Sequence, residues 1–159
     1  MYATVYTVRE VVLSHSARRL TRLARVDYSD AFLLWTPRAH ERTGEGWARA
    51  MLEDAPVATR RALRAGWSTL GIALGSTADP ERVLGWPVRR SSSDHALLAA
   101  DSLVGMEAEL LFKREEGGML FATILKFNNP AARAVWAATT LQHRRVVRRL
   151  LEQAGRRLA

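Results

Sequence analysis

Residues 129–158 read NPAARAVWAATTLQHRRVVRRLLEQAGRRL, and their spacing decides how the rest of the chain is read. Asn129 is placed to cap a helix N-terminus, and Pro130 to take the first helical position, where its missing N–H is no loss and its fixed φ suits the helix. At about 100° per residue, Ala132, Trp136, Thr139, Thr140, His143, Val146, Val147, Leu150 and Ala154 fall on one face. Arg144, Arg145, Arg148, Arg149 and Glu152 fall on the other. The pattern predicts a long amphipathic helix from Pro130 to Ala154, about 37 Å at 1.5 Å per residue, enough to lie across a small sheet. Its apolar side has to be buried, and a sheet-based container that the helix closes is the partner that fits.

The bulk composition bounds what such a container can be. With 159 residues, 48% of them hydrophobic, the chain is expected to form one core and bury roughly two-thirds of its unfolded surface. It has no cysteine, which excludes disulfides, thiolate catalysis, cysteine-ligated zinc and iron–sulfur clusters, and fits a reducing cytoplasm. The opening MYATVYTVREVVLSHSA lacks a basic leader, and Arg9 and Glu10 interrupt it before an apolar core of signal-peptide length forms. No stretch approaches the about 18 apolar residues needed to span a bilayer, so a soluble, cytoplasmic protein is expected.

The net charge of +8 is uneven: residues 131–159 carry +6, residues 9–25 carry +4 and residues 26–130 carry −2. Of the 24 basic residues 22 are arginine, a skew that a high-GC genome produces without functional demand, so it is discounted as a nucleic-acid signal.

Working back from the helix, residues 1–25 form an N-terminal arm in which Val5, Val8, Val11, Val12 and Leu13 allow a short strand, and Leu20, Leu23 and Ala24 stand at helical spacing. DYSDAFLLW (27–35), ended by Thr36-Pro37, reads as the first main strand. Trp47, Ala48, Met51, Leu52 and Ala55 then follow helical spacing up to Pro56, and Thr59, Leu63, Gly66, Trp67 and Leu70 repeat it. These predict two short consecutive helices. GIALGSTADPER (71–82) reads as a loop. From Arg82 the period is two, and VLGWPV, ALLAAD, GMEAELLFK and MLFATILKF read as four strands joined by short turns. Met106, Ala108, Leu110 and Phe112 face one way, with Glu107, Glu109 and Lys113 the other, so one face of the sheet is expected apolar and the other largely wet. The fold class is α+β, a curved antiparallel sheet wrapped around the long C-terminal helix, with two short helices after the first strand.

This order resembles the helix-grip fold of the START-like (steroidogenic-acute-regulatory-related) superfamily, which includes birch-pollen-allergen-like and polyketide cyclase/dehydrase-type proteins. DYSDAF at 27–32, the helix pair at 47–63, LGWPV at 84–88 and LQHRRVVRRLL at 141–151 look like a bacterial branch of it. The resemblance covers about residues 26–155, so residues 26–159 are assigned to the helix-grip domain. It implies a cavity between sheet and helix that binds or transports a hydrophobic or amphipathic small molecule. Fewer strands than fuller members imply a cavity that is small or filled by side chains.

His143 is the leading candidate site residue, because it sits at the centre of the helix's apolar face between Trp136 and Val147. An imidazole held there can hydrogen-bond a ligand, or serve as acid/base in a cyclase or dehydrase reaction. The simpler reading is a buried histidine satisfied by a backbone carbonyl or a neighbouring side chain. Trp47, Trp67, Trp86 and Trp136 are core or pocket walls, as are Met106, Leu110, Phe112, Phe121 and Phe127, because phase on a strand cannot separate a filled interior from an empty one. Asp27 and Asp30 flank Tyr28 and either cap a turn or pair with His143. Glu107 and Glu109 point to solvent by phase, which disfavours a catalytic carboxylate pair.

No G-x-G-x-x-G, P-loop, G-x-S-x-G or H-E-x-x-H motif occurs, and His15, His40, His95 and His143 lack ligand spacing, so no cofactor or metal is expected. The arginine face of the last helix (Arg144, Arg145, Arg148, Arg149, Arg156) reads as solvated surface, with docking on anionic membrane or nucleic acid as the competing reading. Nucleic acid is not expected as a partner, because exposed stacking aromatics are not evident. A sheet edge or residues 1–25 offer a route to a homodimer.

Overall fold

The structure, a computed structural model, describes residues 6–158. Seven strands form one open antiparallel sheet: β1 (Val8–Glu10), β2 (Tyr28–Trp35), β3 (Arg82–Val83), β4 (Trp86–Ser91), β5 (His95–Asp101), β6 (Met106–Glu115) and β7 (Gly118–Phe127). Their spatial order is β1-β2-β7-β6-β5-β4-β3. The helices are α1 (His15–Arg18), α2 (Gly44–Leu52), α3 (Val57–Thr69) and α4 (Pro130–Arg157). The class is α+β, with the curved sheet gripping the C-terminal helix and two helices following the first long strand, as the sequence pattern requires.

The long helix begins where its sequence says. Asn129 Oδ1 accepts from the Ala132 N–H at 2.7 Å, and Pro130 occupies the first turn. With 28 residues it is about 42 Å long, three residues longer at its C-terminus than the pattern alone predicts. Its apolar stripe (Trp136, Val147, Leu150, Ala154) packs on the inner face of the sheet, against Phe32, Leu34, Phe112 and Phe121.

Three expectations are corrected. VLGWPV is not one strand but a hairpin: β3 pairs with β4 through a turn in which Leu84 (φ 48°) and Gly85 (φ 92°) both take positive φ. Positive φ at both central residues is the two-residue hairpin geometry that matches strand twist, and here a buried leucine fills the place usually given to asparagine. Together with β1 this raises the strand count. Secondly, helical spacing from Ser16 to Arg25 yields only the four-residue α1.

Thirdly, the outer face of the sheet is not wet. Ala31, Leu97, Leu111, Leu120, Ala122 and Ile124 form a second buried cluster on that face, covered by Val11, Leu13, Ala17, Leu20 and Leu23. The segment around residues 8–26 therefore contributes an edge strand and then a strap over the sheet; Val5, included in the expected strand, lies outside the described residues. Glu109, expected in solvent, is 1% exposed beneath this strap, where it accepts from Thr21 Oγ1 at 2.5 Å and from the Arg22 N–H at 3.0 Å. Glu107 stays partly exposed and pairs with Lys126 at 2.8 Å.

Among the described residues, no helix is long and apolar enough to cross a membrane.

Candidate functional site

The inner face of β2 carries the unusual residues. Strand alternation turns Tyr28, Asp30, Phe32 and Leu34 toward α4, so a strand that is otherwise apolar on this side places one carboxylate under the helix. Across the sheet Asp30 stands opposite Thr123, which in turn stands opposite Leu110. Above this row α4 contributes Trp136 and His143.

His143 Nε2 lies 3.1 Å from Asp30 Oδ2, and the Tyr28 hydroxyl donates to the same oxygen at 2.5 Å. An ionised carboxylate only accepts, so Oδ2 takes both the tyrosine O–H and the imidazole N–H. That contact orients the ring, with Nε2 toward Asp30 and Nδ1 on the opposite edge. The Trp136 ring packs over both partners, edge-on to Tyr28 at 5.1 Å and tilted against His143 at 4.8 Å. Burial, then the bond to Asp30, pushes the Tyr28 phenol well above the usual tyrosine range. Asp30 Oδ1, Thr123 Oγ1 and Trp136 Nε1 are buried with no hydrogen-bond partner among the described residues.

Asp27 does a different job. Hydrogen bonds from Arg25 and from the Phe127 backbone N–H hold its carboxyl at about 2, below the ordinary value of 3.8. It ties the start of β2 to the end of β7. Pairing with His143, the alternative to a turn or capping role for Asp27 and Asp30, is made by Asp30.

A cavity of about 130 Å³ opens between α3 and α4, with the sheet as its floor. Its walls are Leu52 from α2, Ala62, Leu63, Gly66 and Trp67 from α3, Leu70 just beyond it, Leu110 and Phe121 from the sheet, and Thr139, Gln142, His143, Val146, Val147 and Leu150 from α4. Of the residues singled out from sequence, it brings together Trp67, Leu110, Phe121, His143 and Val147. Trp86, Trp136, Met106, Phe112 and Phe127 are buried core and do not line it; Trp86 stacks edge-on to Trp67 at 5.5 Å. Trp47 is core as well, donating to the Ala39 carbonyl at 2.8 Å.

Gly66 is one of the wall residues, with Leu52, Leu63, Thr139 and Gln142 among the others, that strand and helix phase did not single out as functional. It sits inside α3, where glycine costs about 1 kcal/mol relative to alanine. A Cβ added there meets nothing within 4 Å, so no close contact demands glycine; the residue is exposed, and its missing side chain leaves the mouth of the cavity open. The signal available in sequence was a glycine inside a helical pattern with no turn residues around it.

The arginine face of α4 is divided. Arg144 pairs with Glu10 and Arg148 donates to the Val8 carbonyl at 3.1 Å while lying over the Phe32 ring, so these two clasp β1 to the helix. Arg145, Arg149 and Arg156 are exposed. Among the described residues, no cluster of three or more histidine, aspartate or glutamate side chains is placed to hold a metal ion.

No family model matches the chain, and neither a curated protein nor a solved structure matches it.

Proposed function

We propose that this chain is a START-like helix-grip protein that binds a small hydrophobic or amphipathic molecule between α3 and α4, with His143 as the polar anchor. The observation that carries the reading is the 130 Å³ cavity, apolar except along one side of α4, with a glycine wall that the fold itself does not require. A cavity of about 150 Å³ lined by Leu, Ile and Phe stays dry and takes up benzene, so the enclosed part of the ligand is one ring or a short alkyl segment. A long acyl chain does not fit inside. Native mass spectrometry of the purified protein, followed by denaturation and identification of what is released, tests this. A stoichiometric small apolar compound, lost or weakened in His143→Ala, supports it; a ligand-free protein whose melting temperature ignores ring-sized apolar compounds refutes it.

The Asp30–His143 contact supports a second reading, acid/base catalysis of the cyclase or dehydrase kind. Asp30 holds the Nε2–H, and Nδ1 is the atom left to take a proton from a bound ligand. Incubating a bound ketone in heavy water distinguishes the two. Deuterium uptake next to the carbonyl that vanishes in His143→Gln supports catalysis, and no uptake beyond the solvent rate leaves binding alone.

A further inference from the structure

The polarity of the cavity wall is graded along one side of α4. Val147 and Leu150 are buried, His143, Thr139 and Val146 are half-buried, and Gln142 is exposed at the opening. Three residues beyond Gln142 and Val146 on the same helix come Arg145 and Arg149, which are therefore their surface neighbours. Both are exposed, and neither makes a hydrogen bond or ion pair among the described residues, in contrast to Arg144 and Arg148 on the opposite flank, which β1 occupies. The two helices that frame the opening carry almost no compensating charge: α3 has three arginines and no acid, and α4 has seven arginines and Glu152 as its one acid. An opening between two such helices lies in a positive field, and a field of that sign concentrates anions. At about 0.1 M salt the screening length is about 10 Å, long enough for both guanidinium groups to act on a ligand seated at the opening.

We propose that the preferred ligand is an anionic amphiphile: its apolar ring or short chain fills the cavity, and its anionic group stays at the opening beside Gln142, held by Arg145 and Arg149. This deepens the binding reading and rests on it. The arrangement also explains why charge is absent from the cavity floor. An anion carried down to His143 would meet the Asp30 carboxylate 3.1 Å behind it, whereas an anion left at the opening lies beside Gln142, Arg145 and Arg149, with Glu152 a turn further along the helix.

Calorimetric titration with 4-phenylbutyrate and its uncharged counterpart 4-phenylbutanol tests the proposal. At about 50 mM salt the acid is expected to bind roughly tenfold tighter than the alcohol, and the gap to close as salt rises to about 500 mM. In the double variant Arg145→Ala/Arg149→Ala, both exposed positions, the acid is expected to fall to the alcohol's affinity while the alcohol is unchanged. An alcohol that binds as well as the acid in the wild type overturns the anion preference and leaves the binding reading standing. Failure of both compounds to bind overturns the two together. Binding of the protein to anionic phospholipid vesicles, lost in the double variant, with no acid preference in the titration, reassigns the arginines to a membrane surface and overturns the proposal as well.

Discussion

Asp30 is one residue on which two others depend. Its Oδ2 receives Tyr28 and His143, and its side chain is 3% exposed. Replacing it by alanine leaves two half-buried donors without their acceptor, so Asp30→Ala is expected to cost about 1–3 kcal/mol in urea unfolding, and Asp30→Asn less because an amide oxygen still accepts. A loss under about 0.5 kcal/mol, the range of ordinary surface substitutions, would show that the cluster is not wired as described. Asp27 governs acid behaviour instead. Its carboxyl is depressed to about 2 in the folded chain from an ordinary 3.8, so its contribution is complete above about pH 4 and is lost as pH falls through 2. Melting temperatures across that interval should fall less steeply in Asp27→Asn than in the wild type; identical slopes would contradict the assignment. Phase along DYSDAF was enough to bring an aspartate into reach of His143, but the choice between Asp27 and Asp30 depended on which residue the pleat turns inward, and that follows only from where the strand starts.

Among the elements, α4 was the most legible because its signals agree: a cap, a proline at the first turn and a sustained apolar stripe. The outer face of the sheet was misread for a definite reason. Alternation in β6 at Glu107, Glu109 and Lys113 reports polarity, which at Glu109 is not exposure. The contrary sign stood in β7, where Leu120, Ala122 and Ile124 make the run apolar on both faces, as in a strand covered on both sides. What covers it is the strap formed by residues 11–26, too irregular to show a period. Glu109 fastens that strap, so Glu109→Ala is expected to cost about 1.5–3 kcal/mol and to speed amide exchange at Thr21, Arg22 and Leu23 before the rest of the sheet. Exchange that quickens evenly over the molecule would mean that the strap is not an independent unit. The hairpin at Leu84-Gly85 escaped notice because its first turn residue is a leucine.

At the scale of the whole molecule, a sheet covered on one side by a strap and on the other by α4 leaves an apolar, weakly filled place in the gap between α3 and α4. The class of fold could be read from the order of elements. The cavity could not, since it depends on how far apart two helices stand and on a side chain that Gly66 lacks. That residue supplies the most direct test of the central claim. A Cβ at position 66 meets nothing within 4 Å, and leucine there removes the helical penalty of glycine while adding an apolar side chain at the exposed mouth of the gap, so the variant should be at least as stable as the wild type. The measurement is the melting temperature of wild type and Gly66→Leu, each with and without saturating 4-phenylbutanol. The account predicts that the compound raises the wild-type value and leaves that of Gly66→Leu unmoved. Equal shifts in both proteins, or none in the wild type, would contradict it.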